Sequence, residues 1–323
     1  MTYQDLMQFA NGYADSKVLL VANELGVFTA LGKTKRTSDE MARACRSDRE
    51  GMRLLLNALT GLELVHQQAG KYWSTTLARK FLDAHSPTAI TNLLWLLNHH
   101  WANWTDMAQV IKKGRQGWAP ITKSPDFRRR LALAMEERSL ILAPPTIRTC
   151  RMPHGATTFF DLAGGSGAYA IALAQRYPTL TGVIIDQSVS VAKRLIMQRK
   201  LEHRLSVRRG DVFTVPLPHD SDVALVANIF HDFNVQENRT LLRRIREALR
   251  PGGKVFIVEF FLDDTGTKPA DAAVFSLLMY AFTDTGRSYG WTEVEEWLKA
   301  EGFGRLRRHP ISGSIGTLEA TRL

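Results

Sequence analysis

Phe159-Phe160-Asp161-Leu162-Ala163-Gly164-Gly165-Ser166-Gly167 is the stretch that decides the fold. Thr158 to Leu162 is a short apolar run and reads as a buried strand. Gly164, Gly165 and Gly167 follow it, and Ala168 to Arg176 then reads as a helix. Glycines between a strand and a helix let the chain turn sharply and let a ligand come close to the backbone. Nicotinamide, flavin and methyl-donor enzymes all use such a turn, so the flanking residues must discriminate between them.

Toward the C-terminus, Thr181 to Ile185 forms a second strand that ends in Asp186. A carboxylate there can accept hydrogen bonds from both ribose hydroxyls of a nucleoside. Leu205 to Arg208 is a third strand, followed by Gly210-Asp211-Val212-Phe213. Asp211 therefore falls on the ligand-facing edge of an open sheet and suits an adenine amino group. With Asp161, three acids surround one glycine loop. They fit a cofactor carrying an amine and a sulfonium and disfavour a pyrophosphate, which argues against a nicotinamide dehydrogenase.

The remaining pattern extends the alternation. Asp222 to Ile229 is a strand, Val235 to Leu249 a helix, and Pro251-Gly252-Gly253 a turn into strand Lys254 to Glu259. Helices at Ala270 to Phe282 and Thr292 to Ala300 precede two late strands, Arg305 to His309 and Gly316 to Ala320. Alternating strands and helices predict an α/β fold with a Rossmann-like parallel sheet covered on both faces.

Toward the N-terminus the chain reads as helical. The spacing predicts helices over Tyr13–Leu31 and Ile90–Ile111, a loop over Gly117–Pro125, and a helix from Phe127 to Arg148 that breaks near Pro144-Pro145. Thr37-Ser38-Asp39-Glu40 and Ser47-Asp48-Arg49-Glu50 are capping-box patterns, each opening a helix. Leu64 to Trp73, with Ala69-Gly70 at its centre, suits a hairpin. Helix, turn, helix, hairpin is the order of a winged helix. Three segments result: a winged-helix-like segment 1–115, linker helices 116–155, and a sheet domain 156–323.

Composition narrows the function classes. The 323 residues suit two domains, and 45% hydrophobic with 23% charged residues is the profile of a globular chain. Cys45 and Cys150 form no CxxC pair, so neither a zinc site nor a disulfide framework is indicated. No signal peptide or apolar run of spanning length is seen, which predicts a cytoplasmic protein without a membrane partner. The net charge of +10 is spread over short clusters such as Arg128-Arg129-Arg130 and Arg243-Arg244. The second helix of the winged-helix pattern carries Met52, Leu54, Leu55, Leu56 and Leu59, too apolar to lie in a nucleic-acid groove, so no nucleic-acid partner is expected.

Over nearly its whole length the sequence resembles the small-molecule O-methyltransferases of the caffeate, acetylserotonin and phenazine type. Asp161 to Gly167 is similar to the glycine motif of that family, with Ala163 where a glycine is usual. An alanine is accommodated there if its φ is negative. Gly210-Asp211-Val212-Phe213, Asn228-Ile229-Phe230-His231-Asp232-Phe233 and Leu249-Arg250-Pro251-Gly252-Gly253-Lys254 resemble three further motifs. Ser16-Lys17-Val18-Leu19 and Glu24-Leu25-Gly26-Val27-Phe28 resemble the family's dimerisation domain. The resemblance implies S-adenosyl-L-methionine as cofactor, a small-molecule acceptor and a homodimer formed through the N-terminal domain. Carried over residue by residue, it places Ser139, Asp161, Gly164, Gly165, Gly167, Asp186, Asp211, Val212, Phe213 and Asn228 at the cofactor. Met135, Asp232, Met279 and Tyr280 fall on the acceptor side.

His231 follows the fourth strand and so points to the same edge as the glycine loop. A histidine titrates near neutrality and can take the proton of an attacking phenol. In the resembled family two glutamates bracket this histidine. Glu259 matches the first and is expected to orient the imidazole. Gly286-Arg287-Ser288-Tyr289-Gly290-Trp291-Thr292 stands where the second belongs, and the glutamate is absent. An acceptor that is already nucleophilic, a thiol or an amine, is therefore the alternative to a hydroxyl, and another chemistry on the same cofactor is a further one. No ligand spacing for a metal is present. The aromatic and sulfur side chains Trp95, Trp101, Trp104, Phe275 and Phe282 are expected to divide between core and acceptor pocket.

Overall fold

The computed structural model describes residues 1–115 and 124–323, so most of the loop expected over Gly117–Pro125 lies outside the described residues. Two units cluster separately, Met1–Trp101 and Ala102–Leu323. In the first, helix α1 (Tyr3–Glu24) is opened by a reciprocal capping box between Thr2 and Asp5. It starts ten residues before the expected Tyr13 because its first turns are exposed, and they show no periodicity toward a core within this unit. The chain breaks at Leu25-Gly26, and a separate helix α2 (Val27–Leu31) follows. The short strand β1 (Arg36–Thr37) leads into α3 (Ser38–Ala44), capped by Thr37 and Glu40 as expected. For α4 (Arg49–Gly61) the cap is Asp48, whose side chain accepts from the Gly51 amide.

The hairpin β2 (Val65–Gln68) and β3 (Lys71–Ser74) turns on Ala69-Gly70, both at positive φ (49° and 75°), the geometry of a two-residue turn with matching twist. β1 pairs with β3, so this unit holds a small three-stranded sheet and is not entirely helical. Phe28, Leu31, Met41, Met52, Leu56 and Leu59 form its core. Helix α5 (Thr76–Phe81) comes next. The single helix expected over Ile90–Ile111 is two, α6 (Thr91–Thr105) and α7 (Met107–Lys113). Asp106, at φ −90° and ψ 1°, interrupts the ladder between them, while the stripe of apolar residues continues across the break.

Helix α8 (Pro125–Thr149) runs through Pro144 and Pro145 without ending there. Proline removes an amide donor and normally stops a helix. Here Ala143, Ile147 and Cys150 are buried in one cluster, and the Thr146 hydroxyl donates to the Leu142 carbonyl at 2.8 Å. Packing holds the last turn where local propensity does not.

The strands β4 (Thr158–Leu162), β5 (Thr181–Asp186), β6 (Leu205–Arg209), β7 (Ser221–Ala227) and β8 (Leu249–Phe260) are parallel, in the order β6-β5-β4-β7-β8. The hairpin of β9 (Phe303–Ser312) and β10 (Ile315–Arg322) extends this sheet antiparallel, β10 lying beside β8. Helices α9 (Ala168–Arg176), α10 (Ser190–Gln198), α11 (Val235–Ala248), α12 (Ala270–Phe282) and α13 (Trp291–Ala300) complete the unit. Two buried clusters coat the sheet. β7 is buried at every position but its last, the mark of a strand covered on both faces.

Asp222 pins the entry to this sheet. Its Oδ2 accepts from the Thr157 and Thr158 amides at 2.8 and 3.0 Å, and Arg250 Nε donates to Oδ1. Burial works to raise the Asp222 pKa, but the Thr157 amide, Arg250 and Thr158 outweigh it and bring it down to about 2. Asp222→Ala is expected to cost about 1–3 kcal/mol in chemical denaturation at neutral pH. A depressed folded pKa contributes stability above the unfolded value of about 4, and that stability is lost as pH falls toward the folded one. The gap between wild type and variant should therefore narrow as pH is lowered from about 4 toward the folded pKa.

Candidate active site

All five parallel strands end on one edge of the sheet, and the expected site residues follow the strand order. Asp211 follows β6, Asp186 ends β5, the glycine loop follows β4, Asn228 and His231 follow β7, and Glu259 lies near the end of β8. Ligands of open α/β sheets bind on this edge, where the connections diverge to opposite faces.

The glycine loop is tightly built. A Cβ on Gly164 would stand 2.5 Å from Asp161 Oδ2 and 2.7 Å from Ile184 Cγ2, so no larger residue fits. Ala163 has φ +59°, contrary to the negative φ that would make an alanine easy there. The turn demands left-handed backbone at this position, and the alanine carries that cost. Asp161 beneath the loop is fully buried, and neither carboxyl oxygen has a hydrogen-bond partner. Burial first, and the nearby charge of Asp186 second, push its pKa up to about 8.

Asp186 is held by the loop itself. Its Oδ2 accepts from the Gly165 amide at 2.9 Å and its Oδ1 from the Ser188 amide at 2.8 Å. Asp211 Oδ1 accepts from the Phe213 amide at 2.9 Å. Val212 is buried in the core, which leaves its backbone for a ligand, while the Phe213 ring packs edge-on against Phe233 at 4.9 Å.

His231 lies in a 3-10 turn, Phe230–Asp232, and is buried. Its Nδ1 is 2.7 Å from Glu259 Oε2, and Glu259 Oε1 accepts from the Phe230 amide at 2.8 Å. Burial opposes charge on Glu259, but His231 and the Phe260 and Phe230 amides keep its pKa below the ordinary glutamate value. An ionised Glu259 is an acceptor only, so Nδ1–H donates and Nε2 is left with its lone pair. Burial likewise disfavours the imidazolium, but the charge and hydrogen bond of Glu259 outweigh it and raise the His231 pKa. Asp232 Oδ1 is 3.8 Å from Nε2. Gly286, in the segment lacking the second glutamate, backs this turn so closely that a Cβ would lie 1.9 Å from the His231 carbonyl oxygen.

Phe275, expected in the core or the acceptor pocket, and two side chains not anticipated there, Phe260 and Arg138, lie around this pair. The Phe275 ring meets His231 edge-on at 5.0 Å, and Phe260 packs on Phe275 at 4.3 Å. Arg138 lies over Phe260 at 4.5 Å and donates from Nη2 to Asn228 Oδ1 at 3.4 Å. The signal was present in part: Arg138 lies three residues after Met135 and so shares a helix face with that expected residue. Tyr280 lies under the Arg115 guanidinium at 4.3 Å, and Met279 is buried.

The residues fit a cationic adenosyl cofactor. Asp186 and Asp211 present accepting oxygens, and the partnerless Asp161 carboxyl lies in a loop short of positive charge. Among the described residues no group of three or more His, Cys, Asp or Glu is placed to hold a metal.

Fold and site together define a Rossmann-like methyltransferase. An O-methyltransferase domain model matches residues 104–304, and an O-methyltransferase dimerisation domain model matches residues 7–84. The chain belongs to the O-methyltransferase family and is an S-adenosyl-L-methionine-dependent enzyme. It is 30% identical over 344 residues to acetylserotonin O-methyltransferase of Mus musculus, covering 99% of this chain and 88% of that one. It is 28% identical over 331 residues to 3-hydroxy-5-methyl-1-naphthoate 3-O-methyltransferase of Streptomyces sahachiroi, covering 98% and 94%. The crystal structure of human N-acetylserotonin methyltransferase in complex with S-adenosylmethionine superposes with a TM-score of 0.90 at 26% identity, covering 99% and 97%.

Ala163→Gly relieves the left-handed strain and should stabilise the chain by about 1 kcal/mol. For a unit of this size that is a rise in Tm of about 2–4 °C by calorimetry. A fall would show that the packing of the alanine methyl outweighs the backbone term.

Proposed function

We propose that this enzyme transfers a methyl group to the hydroxyl of a small aromatic or otherwise hydrophobic acceptor, with His231 as general base. The 2.7 Å contact between His231 Nδ1 and Glu259 Oε2 carries this proposal. It leaves Nε2 free to take the proton of a phenol, whose pKa is about 10 in the unperturbed tyrosine side chain. Glu259 orients the ring and stabilises the imidazolium without itself taking the proton. When bound, S-adenosylmethionine supplies a methyl group on a positively charged sulfur. Asp186 would hold the ribose and Asp211 the adenine, with Val212, Phe213 and the backbone of Gly164, Gly165 and Gly167 around them. Ser139, Asp161 and Asn228 would face the amino-acid end. Met135, Asp232, Met279 and Tyr280 are assigned to the acceptor side, and the Phe260–Phe275 pair supports an aromatic acceptor.

The functional division 1–115, 116–155 and 156–323 belongs to this proposal, with the first segment a winged-helix homodimerisation module. Supporting it, α1 exposes Tyr3 (77%), Leu6, Phe9 (80%) and Tyr13 (62%) at helical spacing, an apolar face unlike a free surface. A cytoplasmic setting is supported by two unpaired cysteines, and no described helix is long and apolar enough to cross a membrane.

His231→Ala is expected to lower kcat by about 10²- to 10⁴-fold while S-adenosylhomocysteine still binds. Unchanged turnover would remove His231 as base, and turnover of thiols or amines but not phenols would move the accepting atom to sulfur or nitrogen. The base works in its neutral form, so the acidic limb of kcat/KM should lie above the ordinary histidine pKa. In Glu259→Gln the limb should move to lower pH, because burial then acts on His231 without the opposing charge. Phe9→Glu should convert a dimer to a monomer in light scattering; a wild-type monomer would end the dimer proposal.

A further inference from the structure

Arg138 is a cation inside the cleft without an anion of its own. Among the described residues no carboxylate stands within ion-pair distance of it, and Glu259, the nearest acid to act on it, is engaged by His231 and by two backbone amides. Its close contacts, Asn228 Oδ1 and the Phe260 ring, leave the charge uncompensated. Burial accordingly pushes its pKa down. Tyr169, on the first turn of α9, is 5% exposed, and its hydroxyl is buried with no partner at hydrogen-bonding geometry. Asn228 lies beside it, and Arg138 acts on it electrostatically. Asn228 itself is held at φ +56°, a left-handed backbone that asparagine adopts more readily than most residues. Its carbonyl oxygen faces Arg138, so its amide Nδ2 remains a donor.

A guanidinium, a phenol and a carboxamide thus converge as donors, and the matching anion is missing. We infer that Arg138, Asn228 and Tyr169 form a carboxylate-binding site beside His231, filled by a carboxylate of the ligands. A planar guanidinium takes a carboxylate through two parallel hydrogen bonds, which a lysine cannot do. Two sources present that group: an aromatic acid serving as acceptor, and the amino-acid tail of the cofactor. Arg138 lies on Phe260, which packs on Phe275 at the edge of the His231 ring, so a carboxylate held here fixes its ligand next to the base. The inference rests on the methyl-transfer function proposed above.

The test uses the full chain with Arg138→Met, Arg138→Lys and Tyr169→Phe. Calorimetry compares S-adenosylhomocysteine with 5′-methylthioadenosine, which lacks the amino-acid tail. Kinetics compare a hydroxynaphthoate with the corresponding naphthol. Arg138→Met should weaken the carboxylate-bearing member of one pair about 10- to 100-fold more than its neutral partner. Arg138→Lys should recover part of that loss, and Tyr169→Phe should show the same selectivity at smaller size. Selective loss in the first pair assigns the site to the cofactor tail, and in the second to the acceptor. Equal losses within both pairs, or none, overturn the inference; 5′-methylthioadenosine binding reports whether each variant is folded. If wild type methylates neither naphthalene compound, the aromatic-acceptor proposal fails by itself. The calorimetric pair then decides, and no selectivity there overturns the carboxylate site.

Discussion

The Glu259 carboxylate is the group on which the geometry of the candidate active site depends. It lies near the end of β8, buried, and accepts from the imidazole of His231 and the amides of Phe230 and Phe260. One side chain therefore fixes the tautomer of the candidate base, raises its proton affinity and ties the turn after β7 to the neighbouring strand. A buried carboxylate without those donors would be driven toward its neutral form, and the imidazole would lose its orientation. Gly286 completes the constraint from behind, where a side chain would displace the His231 carbonyl.

Around that pair the cleft holds further charged and polar groups. The ends of β4, β5 and β6 carry Asp161, Asp186 and Asp211, acids suited to a cofactor with positive charge and hydroxyl donors. Toward β7 and β8 the donors Arg138 and Asn228, with Tyr169 of α9, gather near His231, whose own acids are Glu259 and Asp232. The strand order β6-β5-β4-β7-β8 sets Asp186 and Asp211 on one side of the glycine loop and His231 with Glu259 on the other. Ala163 and Asn228, both at this edge, have positive φ.

Much of the sheet domain was legible in the linear sequence. The limits of β4, α9 and α12 agree with the apolar runs and their punctuation, since strands buried on both faces and helices amphipathic toward them leave strong patterns. The expectations that failed lie where local signals and packing disagree. Pro144 and Pro145 predict a helix end, yet buried Ala143 and Ile147 carry α8 through them. Ile90 to Ile111 has one apolar stripe, yet Asp106 divides it. The start of α1 leaves no signal in the sequence because its exposed turns have no core within their own unit to report on.

The sequence by itself determined the class of site. Glycines at 164, 165 and 167, acids at strand ends and a histidine after β7 are local features whose spacing constrains what can bind there. Only the tertiary structure decided the company each keeps. Glu259 reaches His231 because β7 and β8 are neighbours, and Arg138 joins them from a helix far earlier in the chain. The left-handed φ of Ala163 is likewise imposed by the closed loop. Contacts between residues distant in sequence depend on strand order and helix packing, and no local spacing encodes these.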